Sequence, residues 1–152
     1  MTLDRYEISA GKNLTTFEFL SEGKRGRILK VIQFQQMNIP NLYNLAFGDK
    51  NLLTGQIDDR VVTDNGDSEK VLATVVSAIY AFANAYPNSW VYATGSTAVR
   101  TRLYRMGINK YYEIVVEDFE IMGEFKNEWG SYEFGKDYQA FAVHRKNTKF
   151  DI

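Results

Sequence analysis

Residues 89–108 read SWVYATGSTAVRTRLYRMGI: a short apolar strand, a Gly-Ser-Thr turn, and an arginine-rich helix that begins at the turn. A helix that starts this way aims its free first-turn amides outward, and the positive end of its dipole faces the same point. Arg100, one turn in, adds a guanidinium there. Gly95, Ser96, Thr97 and Arg100 are therefore the candidate anion site. The same turn residues also serve as an ordinary cap, since Ser and Thr hydroxyls accept first-turn amides. Tyr104 is the candidate catalytic group, a proton donor if its phenol lies beside a developing anion. It also flanks the apolar stripe of Val99, Leu103 and Met106, where a tyrosine simply packs. Arg102 and Arg105 lie on the face opposite that stripe, as a solvated face or a partner surface.

Other chemistry is sparse. The chain has no cysteine, which excludes disulfides, thiolate metal sites and a cysteine nucleophile. Its one histidine, His144, is in the last strand beside Arg145, where a structural or surface role fits better than catalysis. Asp58-Asp59 and Asp64 with Asp67 follow no metal-loop spacing, so no metal site is expected. Trp129 in its glycine-containing segment reads as a ring folded back on the sheet or as a binding aromatic. Nothing in these residues calls for a cofactor.

Composition sets the frame for these groups. At 152 residues, one domain (1–152) is expected, and a chain of this size buries roughly 70% of its unfolded surface. Ten Tyr, ten Phe and two Trp favour an extensive sheet with a large core. The net charge of −1, from 18 basic and 19 acidic residues, argues against a dedicated nucleic-acid binder. The N-terminus lacks the basic start and apolar run of a signal peptide, and no run approaches a membrane span, so the cytoplasm is the expected compartment.

The elements that must position the site follow from periodicity. Strands are expected at 5–9, 14–20, 27–37 and 42–47, with a weaker edge strand at 56–62. A helix over 67–86, capped by Asp67 or Ser68, buries Leu72, Val75, Val76, Ile79, Phe82 and Ala83. Trp90 begins a short interior strand (90–93). A second, shorter helix over 96–106 ends at Gly107 as its C-cap. Residues 112–116 read as a strand. From Glu117 the apolar phase flips, which a bulge or a strand break explains. Residues 127–136 read as a long loop and 138–145 as the final strand. The fold class is α+β, a mainly antiparallel twisted sheet with two helices and right-handed crossovers.

This strand–helix–strand–helix–strand order resembles the C-terminal two-thirds of the GCN5-related N-acyltransferase (GNAT-like) fold, over residues 56–145. In that family the second helix usually carries Asn-x-x-Ala-x-x-Leu-Tyr-x-x-x-Gly-Phe. Here Leu103-Tyr104-Arg105-Met106-Gly107-Ile108 is similar, with one residue fewer before the glycine, and Thr97, Arg100 and Ile108 stand for the asparagine, alanine and phenylalanine. The resemblance implies that Tyr104 matches a tyrosine often used as general acid. The family's pyrophosphate loop, Gln/Arg-x-x-Gly-x-Gly/Ala, is replaced by Asp64-Asn65-Gly66-Asp67-Ser68-Glu69, whose carboxylates complement the helix dipole and repel a pyrophosphate. The resemblance thus implies a degenerate acyltransferase-like module that binds a small anion or a protein partner. The alternatives are an active acyl-coenzyme A-dependent N-acyltransferase, and a regulatory partner of toxin–antitoxin or nucleic-acid-associated type using Arg100, Arg102 and Arg105. The block Gly95-Ser96-Thr97 with Arg100-Thr101-Arg102-Leu103-Tyr104-Arg105 is also similar to small uncharacterised Bacteroidetes proteins, a resemblance that implies no activity.

Overall fold

The structure is a computed structural model and describes residues 4–58, 65–95 and 98–146, the side chains of Val99 and Arg100 excepted. Strands β1 (Ser9–Ala10), β2 (Thr16–Gly23), β3 (Gly26–Gln36), β4 (Leu42–Lys50) and β5 (Ile57–Asp58) precede helix α1 (Ser68–Ala85). Strand β6 (Trp90–Ala93), helix α2 (Ala98–Asp118) and strands β7 (Phe119–Phe125), β8 (Glu128–Ser131) and β9 (Ala140–Arg145) complete it. All strands join one sheet in the order β1-β2-β3-β4-β6-β9-β7-β8, with β5 also on β4. Neighbours are antiparallel except β4 and β6, which run parallel. The class is α+β, as composition and periodicity imply.

Alternation explains why one face is covered. Phe17 and Phe19 on β2, Ile32 and Phe34 on β3, and Leu45 and Phe47 on β4 point to the helices and are buried. Lys30 shares that face and is only 5% exposed. Its cross-strand partner Asp49 compensates the buried charge, with Nζ 2.6 Å from the carboxylate. From α1, Val71, Val75, Ala78 and Phe82 recur at helical spacing and meet this surface.

Helix α2 corrects the expectation most. It does not end at Gly107 but continues to Asp118, so it is the longer helix and residues 112–116 are helical. Tyr104, Gly107, Tyr111 and Val115 recur three or four apart and face α1 and the sheet. Gly107 is a contact glycine. A Cβ there would lie 3.0 Å from Leu72 Cδ2, so its absence lets the helices approach. That approach offsets the roughly 1 kcal/mol by which glycine disfavours a helix interior. The phase flip at Glu117 is therefore the passage from helix to strand, not a bulge. Met106, expected inward, is 52% exposed, because the face of α2 that packs on α1 and the sheet runs through Tyr104, Gly107 and Tyr111.

The expected loop over 127–136 also contains a strand. β7 turns through Lys126 and Asn127, at φ 52° and 67°, into β8, which pairs with it from Met122–Ser131 to Phe125–Glu128. At the other end β1 is only two residues long, and the edge strand at 56–62 is described only as β5. Residues 59–62 lie outside the described residues.

Tyrosines pack densely beneath the β7–β9 end. Burial pushes the Tyr132 phenol up to about 12, with Tyr138 adding to the shift. The folded state therefore keeps a proton that the unfolded chain begins to lose near pH 10. Stability from this group is complete below about pH 10 and falls as the pH rises toward about 12. Tyr132→Phe is expected to make that alkaline loss shallower, read as urea unfolding at about pH 8 and about pH 11.

Candidate functional site

The carboxyl end of β6 leads into α2 beside the parallel strand β4, and an open sheet places its crevices at the carboxyl ends of such strands. The β4–β6 ladder covers only Leu42–Asn44 against Trp90–Tyr92. β4 then runs on to Lys50, where β5 pairs with Asp49 and Lys50. The strands thus part after three paired positions. Under them, between the helices and the sheet, lies an apolar cavity of about 80 Å³. Leu72, Val75 and Ile79 of α1, Tyr104 and Ile108 of α2, and Phe141 of β9 are among its walls.

Tyr104, the candidate proton donor, is 8% exposed and lines this cavity. Tyr80 lines the same cavity and donates to Asp118 at 2.6 Å. Burial first, and then that carboxylate, raise its pKa, so it stays a neutral donor.

The start of α1 is an acid-lined hollow bordered by Asp4, Glu22, Asp67 and Glu69, with the β2–β3 turn pinned beside it. Asn65 is 1% exposed. Its side-chain oxygen accepts the Arg25 amide at 2.6 Å, and its amide nitrogen donates to Ser21 Oγ at 3.1 Å and the Gly26 carbonyl at 3.0 Å. The β2–β3 turn is thereby stapled onto the helix entrance. Gly23 makes this possible, since a Cβ there would lie 1.9 Å from the Asn65 carbonyl oxygen. Asp67 sits at the N-cap position, but its side chain makes no cap hydrogen bond. It turns instead to accept the Tyr6 hydroxyl at 2.6 Å and Ser21 Oγ at 2.5 Å. Burial, followed by that bond to Asp67, raises the Tyr6 pKa. Capping propensity marked Asp67, but only the tertiary neighbours decide which donors it serves. Asp64 lies outside the described residues.

At the start of α2, Ser96, Thr97 and the Arg100 side chain lie outside the described residues. Gly95 donates its amide to Thr101 Oγ1 at 3.0 Å, a bond from the turn to the first turn of α2. The other two arginines separate. Arg102 is exposed, whereas Arg105 is half-buried with Nη1 3.5 Å from Asp137. No group of three or more His, Cys, Asp or Glu that could hold a metal occurs among the described residues. No helix among them is long and apolar enough to cross a membrane.

Two further residues with candidate roles share one face. His144 and Trp129 both emerge on the sheet face opposite the helices, Trp129 from β8 and His144 from β9. Arg145 points the other way, its guanidinium 5.5 Å from the Tyr80 ring centroid and 5.6 Å from that of Phe119, with Nη1 buried and without a hydrogen-bond partner among the described residues.

A family model described as a family of unknown function, DUF6934, matches residues 2–146. No curated protein and no solved structure matches the chain.

Proposed function

Because the chain belongs to the family of unknown function DUF6934, which assigns no activity, we propose a function from geometry: an acyltransferase-like binding module that does not use coenzyme A. The order β5–α1–β6–α2 followed by closing strands, and the parting of β4 from β6, support the GNAT-like resemblance. The observation that carries the loss of cofactor chemistry is the acidic lining at the entrance of α1, where Asp4, Glu22, Asp67 and Glu69 border one hollow. Where a pyrophosphate would need bare amides, Asn65 binds the β2–β3 turn and Asp67 presents a carboxylate held by Tyr6 and Ser21. A pyrophosphate placed there would meet like charge and the backbone of the turn.

In this reading the module acts by holding a small anion or a protein partner. Gly95, Ser96, Thr97 and Arg100 remain the proposed anion contacts, with the Gly95 amide already committed to Thr101. Tyr104 on the cavity wall favours a second reading, an active acyltransferase with an atypical cofactor site. Isothermal titration and thermal shift with acetyl-coenzyme A separate the two. No heat and no stabilisation are expected. A true ligand at a hundredfold excess over its Kd would stabilise by about 2.7 kcal/mol. Low-micromolar binding, with turnover lost in Tyr104→Phe, would establish the enzyme instead. The nucleic-acid reading has lost support at Arg105, which is engaged with Asp137.

A further inference from the structure

The sheet face turned away from the helices carries a grouping that the acyltransferase-like reading does not use. Register and strand parity place its side chains in three cross-strand rows. The first is Trp90, His144 and Glu120, and the second is Tyr92, Ala142, Met122 and Ser131. The third is Ala140, Glu124 and Trp129. Two pairs of rings stand on this face. Trp90 and His144 stack at 4.7 Å between centroids and 13° between planes. Trp129 reaches back across β7 and β9 until its ring is 6.0 Å from that of Tyr92. Alanines 140 and 142 are the low ground between them, only 1% and 9% exposed.

A glutamate accompanies each ring pair. Glu120 is directly opposite His144, and Glu124 directly opposite Trp129. Glu124 is also near enough to Tyr92 for its charge to raise that phenol's pKa, after burial. None of the ten outward positions in the three rows is Lys or Arg. Aromatic faces beside a carboxylate, without a competing cation, are the surroundings that attract a guanidinium. The rings offer their negative faces, and the carboxylate accepts two parallel N–H bonds. Glu120 and Glu124 are four residues apart on one strand, about 13 Å. Cations on residues i and i+4 of an extended segment have the same separation.

We propose that this face binds an extended basic segment of a protein partner. One arginine seats between Tyr92, Trp129 and Glu124, and a second beside Trp90, His144 and Glu120. A small cation would use one ring–carboxylate set; the repeat of the set along β7 selects a two-point ligand of extended chain.

Trp90 and Trp129 are the two tryptophans of the chain, so their fluorescence reports on this face directly. The test is a titration of the full chain with a synthetic peptide carrying arginines at i and i+4 among serines and threonines. Parallel titrations use a peptide with glutamates in place of the arginines, and free arginine. The arginine peptide is expected to change the tryptophan emission saturably. Glu124→Gln, with an unchanged melting curve, is expected to weaken it by roughly tenfold or more, and Trp129→Ala similarly. The proposal is overturned by an unchanged emission at millimolar peptide, by equal affinity of Glu124→Gln, or by equal binding of the glutamate peptide. Free arginine binding as tightly as the peptide would also overturn it, because the ligand would then be a small cation. Acetyl-coenzyme A titrations do not bear on this face, so the two readings fail independently.

Discussion

Phe82→Ala is expected to lower the unfolding free energy by about 3–5 kcal/mol, the largest loss from any single truncation in this core. The ring is fully buried. It stacks on Phe34 at 4.2 Å and on Tyr86 at 4.9 Å, and meets the edge of Tyr43 at 4.9 Å. Those partners come from β3, β4 and the end of α1, so one side chain joins the first helix to the N-terminal half of the sheet. Aromatic pairs contribute about 0.5–1.5 kcal/mol beyond area burial, so losing several at once leaves both a cavity and unsatisfied rings. Domains of this size have about 5–15 kcal/mol in all, and the variant should be close to unfolding at 37 °C. Urea denaturation followed by circular dichroism measures the effect. A loss below about 1 kcal/mol would mean that the helix and sheet do not meet through this ring.

Gly23→Ala is the second large effect, about 3 kcal/mol or more, as an overpacked site with no room to relax. The added Cβ would fall 1.9 Å from the Asn65 carbonyl oxygen and 2.9 Å from its Cγ. Neither atom can yield alone, because Asn65 is tied to Ser21, Arg25 and Gly26. Either the turn or the entrance of α1 must move. Gly26→Ala is the control three residues on. Its φ is +90°, yet a Cβ there meets nothing within 4 Å. Only backbone strain of about 1–2 kcal/mol is expected. Equal losses in the two variants would show that the turn does not press on Asn65.

The contrast between these glycines illustrates what was legible. Gly23 and Gly26 frame Lys24-Arg25, so a hairpin turn could be read directly from residue type. That one of the two abuts the α1 entrance could not, because Asn65 is some forty positions away. The anion candidate illustrates a different limit. The strand–turn–helix pattern points to Gly95, Ser96, Thr97 and Arg100, and of these only Gly95 falls among the fully described residues. Tyr104 reads both as a packing ring and as a proton donor; its burial on an apolar cavity wall bears on the packing alone.

By itself the sequence determined what local periodicity and residue chemistry control. Period-two alternation of Phe17 and Phe19, Ile32 and Phe34, and Leu45 and Phe47 decided which side of the sheet is covered, since a slip of one residue would expose the whole set. The stripe of Leu72, Val75, Ile79 and Phe82 decided α1, and Pro87 its end. The absence of cysteine decided that no thiol chemistry is present. Tertiary structure alone decided the rest. Gly107 reads as a helix stop by propensity, but Leu72 packs against it, and a contact between distant residues overrode a preference of about 1 kcal/mol. Asp67 turned from the helix amides to Tyr6 and Ser21 because those donors are brought beside it by β2 and the N-terminal segment. The ring and glutamate rows on the outer face exist only through the order β6-β9-β7-β8. Strand order is set by long-range pairing, which no local pattern encodes, so four separate stretches of sequence became one surface only on folding.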